Sequence, residues 1–290
     1  MKYLFVGATS GTGKAVLRRL VKKFGPQSVE CLVRPTSQVE EIKSLGVRLH
    51  LGDVAEPESY LHLLGPSVVY LDMTHPKHYH RSLEAVLKAK VERAFFVTTT
   101  GVFSSYNQFS EIYKVNEAKI RASGVTYTIL RPSMIYGHPK DKNMSRLIRF
   151  LCKYRVFPLF DAGRSLMQPV FVEDLADGIV TAIGEPRTEN QEYNLAGPEA
   201  IPYRRLIQTI LDVLQRRVFI LNVPFGLASS VARLGERIPG FPITHEQVLR
   251  LQEDKAFDIS KAVAELSYKP RPFARGVEDE IAQMQAQGML

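Results

Sequence analysis

With 290 residues, 45% of them hydrophobic, and only two cysteines, Cys31 and Cys152, the chain can bury a substantial core and has no material for a disulfide framework. A formal charge of +8 favours anionic ligands or surfaces, and no nucleic-acid motif accompanies it, so nucleic acid is not an expected partner. The longest apolar region, 218–232, is broken by Asn222 and Pro224 and falls short of the ~20 residues that span a bilayer; with a first strand expected from residue 2 there is no room for a signal peptide, and a soluble, cytoplasmic protein is expected.

The first predicted element is the apolar run Tyr3-Leu4-Phe5-Val6, followed by Gly7-Ala8-Thr9-Ser10-Gly11-Thr12-Gly13 and a helical pattern from Lys14 to Phe24. Strand, glycine loop and helix in this order suit a diphosphate. Glycine permits positive φ and close backbone approach, and the helix start offers unpaired N–H groups and partial positive charge. Gly7, Gly11 and Gly13 read G-x-x-x-G-x-G, whereas G-x-x-G-x-x-G needs glycine at position 10 and meets Ser10. The stretch resembles the glycine loop of the short-chain dehydrogenase/reductase superfamily, closest to its extended and atypical branches, with Ser10 as a departure. That resemblance implies that Gly7, Thr9, Ser10, Gly11, Thr12 and Gly13 bind a nicotinamide dinucleotide.

Leu17, Leu20, Val21 and Phe24 put one face of the first helix on the sheet, and Gly25-Pro26 stops it. A second strand, 29–33, ends at Arg34. In dinucleotide folds an acid at this point accepts from the ribose 2′-hydroxyl and repels a 2′-phosphate. Arg34 instead offers a planar fork to phosphate, and Lys14 and Arg18 add charge nearby, so NADP(H) is expected over NAD(H). Ser37-Gln38-Val39-Glu40 reads as a capping box for a helix that Gly46 ends. Strand three, 47–51, leads to Gly52-Asp53-Val54, which resembles the family's Gly-Asp-hydrophobic signature. That implies Asp53, with Val54, at the adenine, while Asp53 is also placed to cap a helix after Pro57. Strand four, 68–71, runs into Asp72-Met73-Thr74-His75, where by the same resemblance the diphosphate and ribose pass Thr74. His75, His78 and His80 lie close in sequence but lack a Cys or acidic companion and regular spacing, and no metal is assigned.

A helix over 80–90 and strand five, 94–97, precede Thr98-Thr99-Thr100-Gly101-Val102-Phe103. This resembles the Ser-Ser-x-x-Val-Tyr run of extended short-chain dehydrogenases, which implies Thr98 beside the cofactor and Thr99 as the catalytic hydroxyl. Counting back from Ala122-Ser123-Gly124, the family's tyrosine falls on Phe109 and its lysine on Tyr113, and this helix contains no Tyr-x-x-x-Lys. Tyr113 is the substitute, but Glu117 one turn on is expected to disfavour a phenolate, and Lys114 faces elsewhere. Tyr136 and Lys140 have the spacing, yet Gly137 and Pro139 keep them off one helical face. Weak or atypical catalysis by Thr99 and Tyr113 is the expectation. Strand six, 126–130, ends in Arg131-Pro132-Ser133-Met134-Ile135-Tyr136-Gly137, close to the family's Arg-Pro-x-x-hydrophobic-Tyr-Gly, which implies Pro132, Ser133 and Met134 along the nicotinamide.

From Lys140 to Arg155 the chain is basic and amphipathic. Lys142, Arg146, Arg149 and Lys153 form one stripe, a solvated face or a rim for an anionic substrate, lipid or partner; Leu147, Phe150, Leu151 and Tyr154 form another, expected to pack inward. The segment around Gln168 to Ala176 resembles the family's return to its main domain, with Asp174 capping a helix. Later elements are a strand at 192–195, a helix over 206–214 and one opened by Pro242-Ile243-Thr244. Asp258 through Pro270 resembles the family's closing capped helix with Glu-Leu-Gly-Tyr-x-Pro.

The alternation predicts an α/β fold: a Rossmann doubly wound parallel sheet with a smaller, mostly helical C-terminal substrate lobe. Residues 1–138, completed by 168–197, form the NADP(H)-binding domain; 139–167 and 198–290 form the lobe. Within the superfamily the chain is similar to epimerase/dehydratase-like proteins and to the accessory dehydrogenase-like subunit of respiratory complex I. Two functions follow: an NADP(H)-dependent reductase or epimerase with a small substrate, anionic or neutral, in the cleft, or a non-catalytic NADP(H)-binding structural, assembly or redox-sensing protein. Association with a membrane surface or a complex stays open.

Overall fold

Runs of apolar and β-branched residues alternate with amphipathic helices, and parallel strands joined this way must be covered on both faces. The computed structural model describes residues 1–141, 143–236 and 244–290; Lys142 of the basic stripe and Pro242 and Ile243 of one expected helix start lie outside them. Seven strands form one parallel sheet: β1 (Lys2–Val6), β2 (Val29–Val33), β3 (Arg48–Leu51), β4 (Val68–Asp72), β5 (Arg93–Val97), β6 (Thr126–Pro132) and, after short strands β7 (Ile135–Tyr136), β8 (Val156–Phe160), β9 (Leu166–Met167) and β10 (Val170–Phe171), β11 (Gln191–Leu195). The order 3-2-1-4-5-6-11 reverses between β1 and β4, where open α/β sheets bind ligands at the strand C-termini. This is the Rossmann-like α/β fold expected.

Helices α1 (Gly11–Phe24) and α6 (Val172–Gly184) cover one face. On the other lie α3 (Tyr79–Lys88) and α4 (Ser110–Arg121), above a core containing Tyr70, Phe96 and Ile129. The short helix α2 (Glu40–Lys43) follows β2. Its N-cap position is Val39, with no side-chain cap, because a turn closed by Ser37 N–H on Arg34 O takes Ser37 away from the helix start; the expected capping box is not formed. Between β3 and β4 lie two 3₁₀ turns, Pro57–Ser59 and Leu61–Leu63; the first has Glu56 at its N-cap, so Asp53 does not cap it.

A third core joins Tyr136 and Phe171 to α5 (Met144–Lys153), β8, α7 (Tyr203–Leu214) and α11 (Phe273–Ala286). On α5 the buried apolar positions are Met144, Ile148 and Leu151, and Phe150 is exposed, as is Tyr154 just beyond the helix. The apolar stripe expected to face inward is therefore rotated by one position. The remaining elements are β12 (Ile201–Pro202), β13 (Phe219–Val223), α8 (Phe225–Gly235), α9 (His245–Arg250) and α10 (Ser260–Leu266). Thr244 and Gln247 form a reciprocal capping box on α9. Ala262, Leu266 and Tyr268 join the core beneath the sheet, so this part of 198–290 packs on the larger layer. Asp174 sits in the first turn of α6, but Phe171 is the N-cap residue; the carboxylate accepts instead from the Arg271 backbone and guanidinium, fastening the approach to α11.

Glu280 of α11 is buried. Its Oε2 accepts from Gly137 N–H at 3.0 Å, while Oε1 has no donor among the described residues and the Asp141 carboxylate stands beside it. Burial, and then Asp141, push this carboxyl up from 4.5 to about 9. The folded chain thus keeps a proton that the unfolded chain releases, so the group's contribution is fully present below pH 4.5 and is lost as pH rises through about 9. Glu280→Gln keeps the shape and supplies a donor. It should stabilise the protein at neutral pH by on the order of 2 kcal/mol and flatten the decline, as thermal melts from mildly acidic to mildly alkaline buffer would record.

Candidate cofactor and active site

The C-terminal edge of the sheet gathers the candidate residues. At Gly7 φ is +97°, and a Cβ would lie 2.8 Å from the Met73 carbonyl; at Gly13 a Cβ would lie 2.1 Å from Gly7 O. Only glycine lets β1 turn into α1 this tightly. Ser10 occupies the N-cap: its Oγ accepts from Gly13 N–H at 2.9 Å and donates to Gly7 O at 3.1 Å. α1 accordingly begins at Gly11, three residues before the periodicity suggests. The amides of Gly11 and Thr12 have no intrahelical partner at this helix start. The cradle fits a diphosphate.

His138 roofs the cradle, for a Cβ on Gly11 would meet its ring at 3.1 Å. Lys140 N–H donates to Nδ1 of His138 at 3.1 Å, which assigns the neutral ring's proton to Nε2, and burial lowers its pKa. Sequence reasoning missed this histidine; its place just past the strand-six motif was the available signal. Lys14 and Arg18, expected to add free charge, are both paired with Glu41, Arg18 at 3.2 Å. Arg34 is exposed at the end of β2 and makes no ion pair among the described residues. Asp53 closes an Asx turn, its Oδ1 accepting from Ala55 N–H at 2.9 Å, and Val54 is buried in the core beneath α3.

Asp72, fully buried at the end of β4, organises the neighbouring loop. Its carboxylate accepts from Thr74 N–H (2.8 Å), Thr74 Oγ1 (2.6 Å), Tyr70 and Ser82. Burial raises its pKa while these donors work against the rise. The loop so fixed delivers His75 to Tyr113 of α4, with Nε2 and the phenol oxygen 3.4 Å apart. Lys77 N–H donates to His75 Nδ1 at 3.3 Å, so the neutral imidazole carries its proton on Nε2, toward Tyr113. Burial lowers the His75 pKa and raises that of Tyr113; both are neutral at pH 7. The phenolate is disfavoured, as expected, but by burial. Glu117 is engaged with Arg131 and Arg121 instead. In the sequence His75 is only one of three loop histidines; His80 turns away, onto the Lys77 carbonyl. Among the described residues no three His, Cys, Asp or Glu side chains converge as metal ligands.

Thr99 accepts from Gly101 N–H at 3.0 Å, at the start of a 3₁₀ turn. Thr98 donates to Glu117 at 2.8 Å, and Ser133 donates to Gln168 O; both hydroxyl protons are committed to the protein. Pro132 ends β6 beside Leu195 of β11, and Met134 is half-buried against the third core. A shallow concavity of about 370 Å³ at the opposite sheet edge, lined by Lys2, Glu30, Arg48 and His62, lies at the N-terminal strand ends, away from all of these groups.

Residues 7–148 match a family described as NAD(P)H-binding. That stretch, just under half of the chain, is an NAD(P)H-binding domain, and it resembles the nucleotide-binding part of the extended short-chain dehydrogenases/reductases. The chain is 26% identical over 147 residues to the mitochondrial NADH dehydrogenase (ubiquinone) 1 alpha subcomplex subunit 9 of Arabidopsis thaliana, a match spanning 49% of this chain and 36% of that protein. It is 25% identical over 206 residues to the NAD(P)H azoreductase of Xenophilus azovorans, covering 68% of each. The solved structure of Citrobacter sp. triphenylmethane reductase complexed with NADP(H) superposes with a TM-score of 0.77 at 19% identity, over 97% of this chain and all of that one. Among the described residues no helix is long and apolar enough to cross a membrane.

The serine in the loop makes a direct stability test. Ser10→Ala removes an N-cap acceptor and should cost about 1 kcal/mol, whereas Ser10→Gly should cost only a few tenths, as denaturant titrations of the two variants would resolve.

Proposed function

We propose that the chain is an NADP(H)-dependent reductase for a small acceptor bound at the C-terminal edge of the sheet, with slow turnover. The observation that carries this reading is the pairing of His75 with Tyr113 on the same sheet edge as the glycine cradle. The azoreductase named above, and the NADP(H) complex of a structural neighbour, support the reductase class. The Gly11 and Thr12 amides, with His138 above them, receive the diphosphate, and Arg34 receives the 2′-phosphate. When bound, the dinucleotide supplies a hydride.

Tyr113 supplies the proton. His75 Nε2–H donates to the phenol oxygen, which directs the hydroxyl proton away from the imidazole, toward an acceptor. As the proton leaves, that same N–H holds the developing phenolate, a neutral donor in the place of the lysine cation of the family. A neutral donor stabilises an anion less than a charged one, so the phenol stays a poor acid. Thr99, whose oxygen already accepts from Gly101, retains a hydroxyl proton to orient the substrate oxygen.

Fluorescence titration should show NADPH binding more tightly than NADH, and Arg34→Ala should weaken NADPH about 10- to 100-fold with little effect on NADH. Equal affinities in the parent would sink the preference. With NADPH and menadione or methyl red as probe acceptors, turnover should lie about 10²-fold or more below a median enzyme rate of ~10 s⁻¹, and Tyr113→Phe should lower it further. A rate near the median, or one indifferent to Tyr113→Phe, speaks against the Tyr113 mechanism. The second reading, a protein that holds NADP(H) without turning it over, is favoured by the committed hydroxyls of Thr98 and Ser133; tight NADPH binding with no acceptor reduction would select it.

A further inference from the structure

The charge of this chain is unevenly spread. Residues 142–160 carry Lys142, Arg146, Arg149, Lys153 and Arg155, and residues 213–235 carry Arg216, Arg217 and Arg233, with no Asp or Glu in either stretch. These are eight of the 38 basic residues; 30 remain elsewhere against 30 acids, so the two stretches hold the whole formal excess of +8. The fold brings them together. β8 from the first pairs in parallel with β13 from the second, Phe219 opposite Val156 and Leu221 opposite Pro158, and Arg216 lies near enough to the end of α5 to influence the Cys152 thiol.

Alternation along β8 sends Phe157 and Leu159 into the third core. The other face of such a two-stranded sheet, turned to water, is ordinarily polar. Here it presents Val156 (47% exposed), Phe219 (66%) and Leu221 (47%), and the end of α5 adds Phe150 (37%) and Tyr154 (45%). The pattern recurs on α8, where Ala228 and Ala232 pack inward while Leu227, Val231 and Leu234, spaced four and three residues apart, are all exposed on one side. Single exposed apolar residues need no explanation, but a group of large ones within a field of cations marks an interaction surface.

We propose that this face docks on an anionic lipid bilayer, its aromatic and aliphatic side chains entering the interfacial layer and its arginines meeting the headgroup phosphates. The docking is peripheral, since none of the described helices spans a bilayer. Charge complementarity selects this occupant. A second copy of the chain, meeting the patch about a two-fold axis, would set like charges against each other with no carboxylate in either stretch to answer them. A small phosphorylated ligand would engage the cations and leave the apolar residues in water.

The test is cosedimentation of the full chain with vesicles of phosphatidylcholine alone and of phosphatidylcholine mixed with phosphatidylglycerol. The chain should partition onto the mixed vesicles and be released by salt, because exposed charges are screened within ~8 Å at physiological ionic strength. Replacing Arg216→Gln and Arg217→Gln together should lower the partition coefficient about 25-fold, roughly fivefold per cation. Phe219→Ser with Leu221→Ser should lower it about 10-fold or more and leave the residual binding salt-sensitive. All four side chains are exposed, and unchanged thermal melts would confirm that the variants fold. Binding to neither vesicle, equal binding to both, or a concentration-dependent dimer in sedimentation equilibrium that Phe219→Ser dissolves would each overturn the proposal.

Discussion

Helix α4 can present only one face to the sheet, and the carboxylate of Glu117 decides which. That side chain is buried, and it accepts from Thr98 at the end of β5, from Arg131 Nε and Nη2 at the end of β6, and from Arg121 one turn along its own helix. Arg131 reaches on to Glu192 in β11. Three adjacent strands and one helix are therefore tied through one charge network; its fully buried pair, Arg131 with Glu117, would leave an uncompensated ion if broken, at about 3–5 kcal/mol, while the exposed side of Arg121 contributes far less. Burial alone would raise the Glu192 carboxyl, yet Arg121 and Arg131 hold it down to about 2, below its usual 4.5.

The position of Tyr113 follows from this anchor. One helical turn before Glu117, it points at the same sheet edge and meets the loop that Asp72 shapes from the other side. Tyr79 adds a second brace, its hydroxyl donating to the carbonyls of Val97 and Asp72 and so holding the ends of β4 and β5 together. The anchoring charge does not itself reach the phenol, because Arg131 and Arg121 absorb it. What tunes Tyr113 is burial, which raises its pKa, against the weaker opposing pull of Arg250.

The parts of the fold visible in the sequence are those whose physics is local. A glycine loop between an apolar run and an amphipathic helix, a Gly-Asp turn after a strand and an Arg-Pro strand end each signal themselves within about ten residues. What escaped is set by pairs distant in the chain. Nothing near Lys14 or Arg18 says that Glu41, 27 residues past Lys14, neutralises them. His75 is 38 residues from Tyr113, and His138 far from the Gly11 it covers, so neither histidine stands out beside its own neighbours. The inward face of α5 was misplaced by one residue for a related reason: its outward side is apolar too, and periodicity cannot rank two hydrophobic faces.

Two serines stand where the resembled family has glycine, and they show how differently the same exchange acts. Ser267, in the closing Glu-Leu-x-Tyr pattern, sits at φ 51°, a left-handed conformation that glycine adopts without steric cost and serine does not; the neighbouring Tyr268, buried and donating to Ala196 O, holds the turn in place. Ser10 has φ −71° and carries no such strain. Its hydroxyl instead takes Gly13 N–H, one of the donors that a loop built on glycine would leave for an anion. The helix start is thereby stabilised before any ligand arrives, and the phosphate-facing donors narrow to two amides. His138, leaning over Gly11 with its proton on Nε2, stands where the missing donor would be needed.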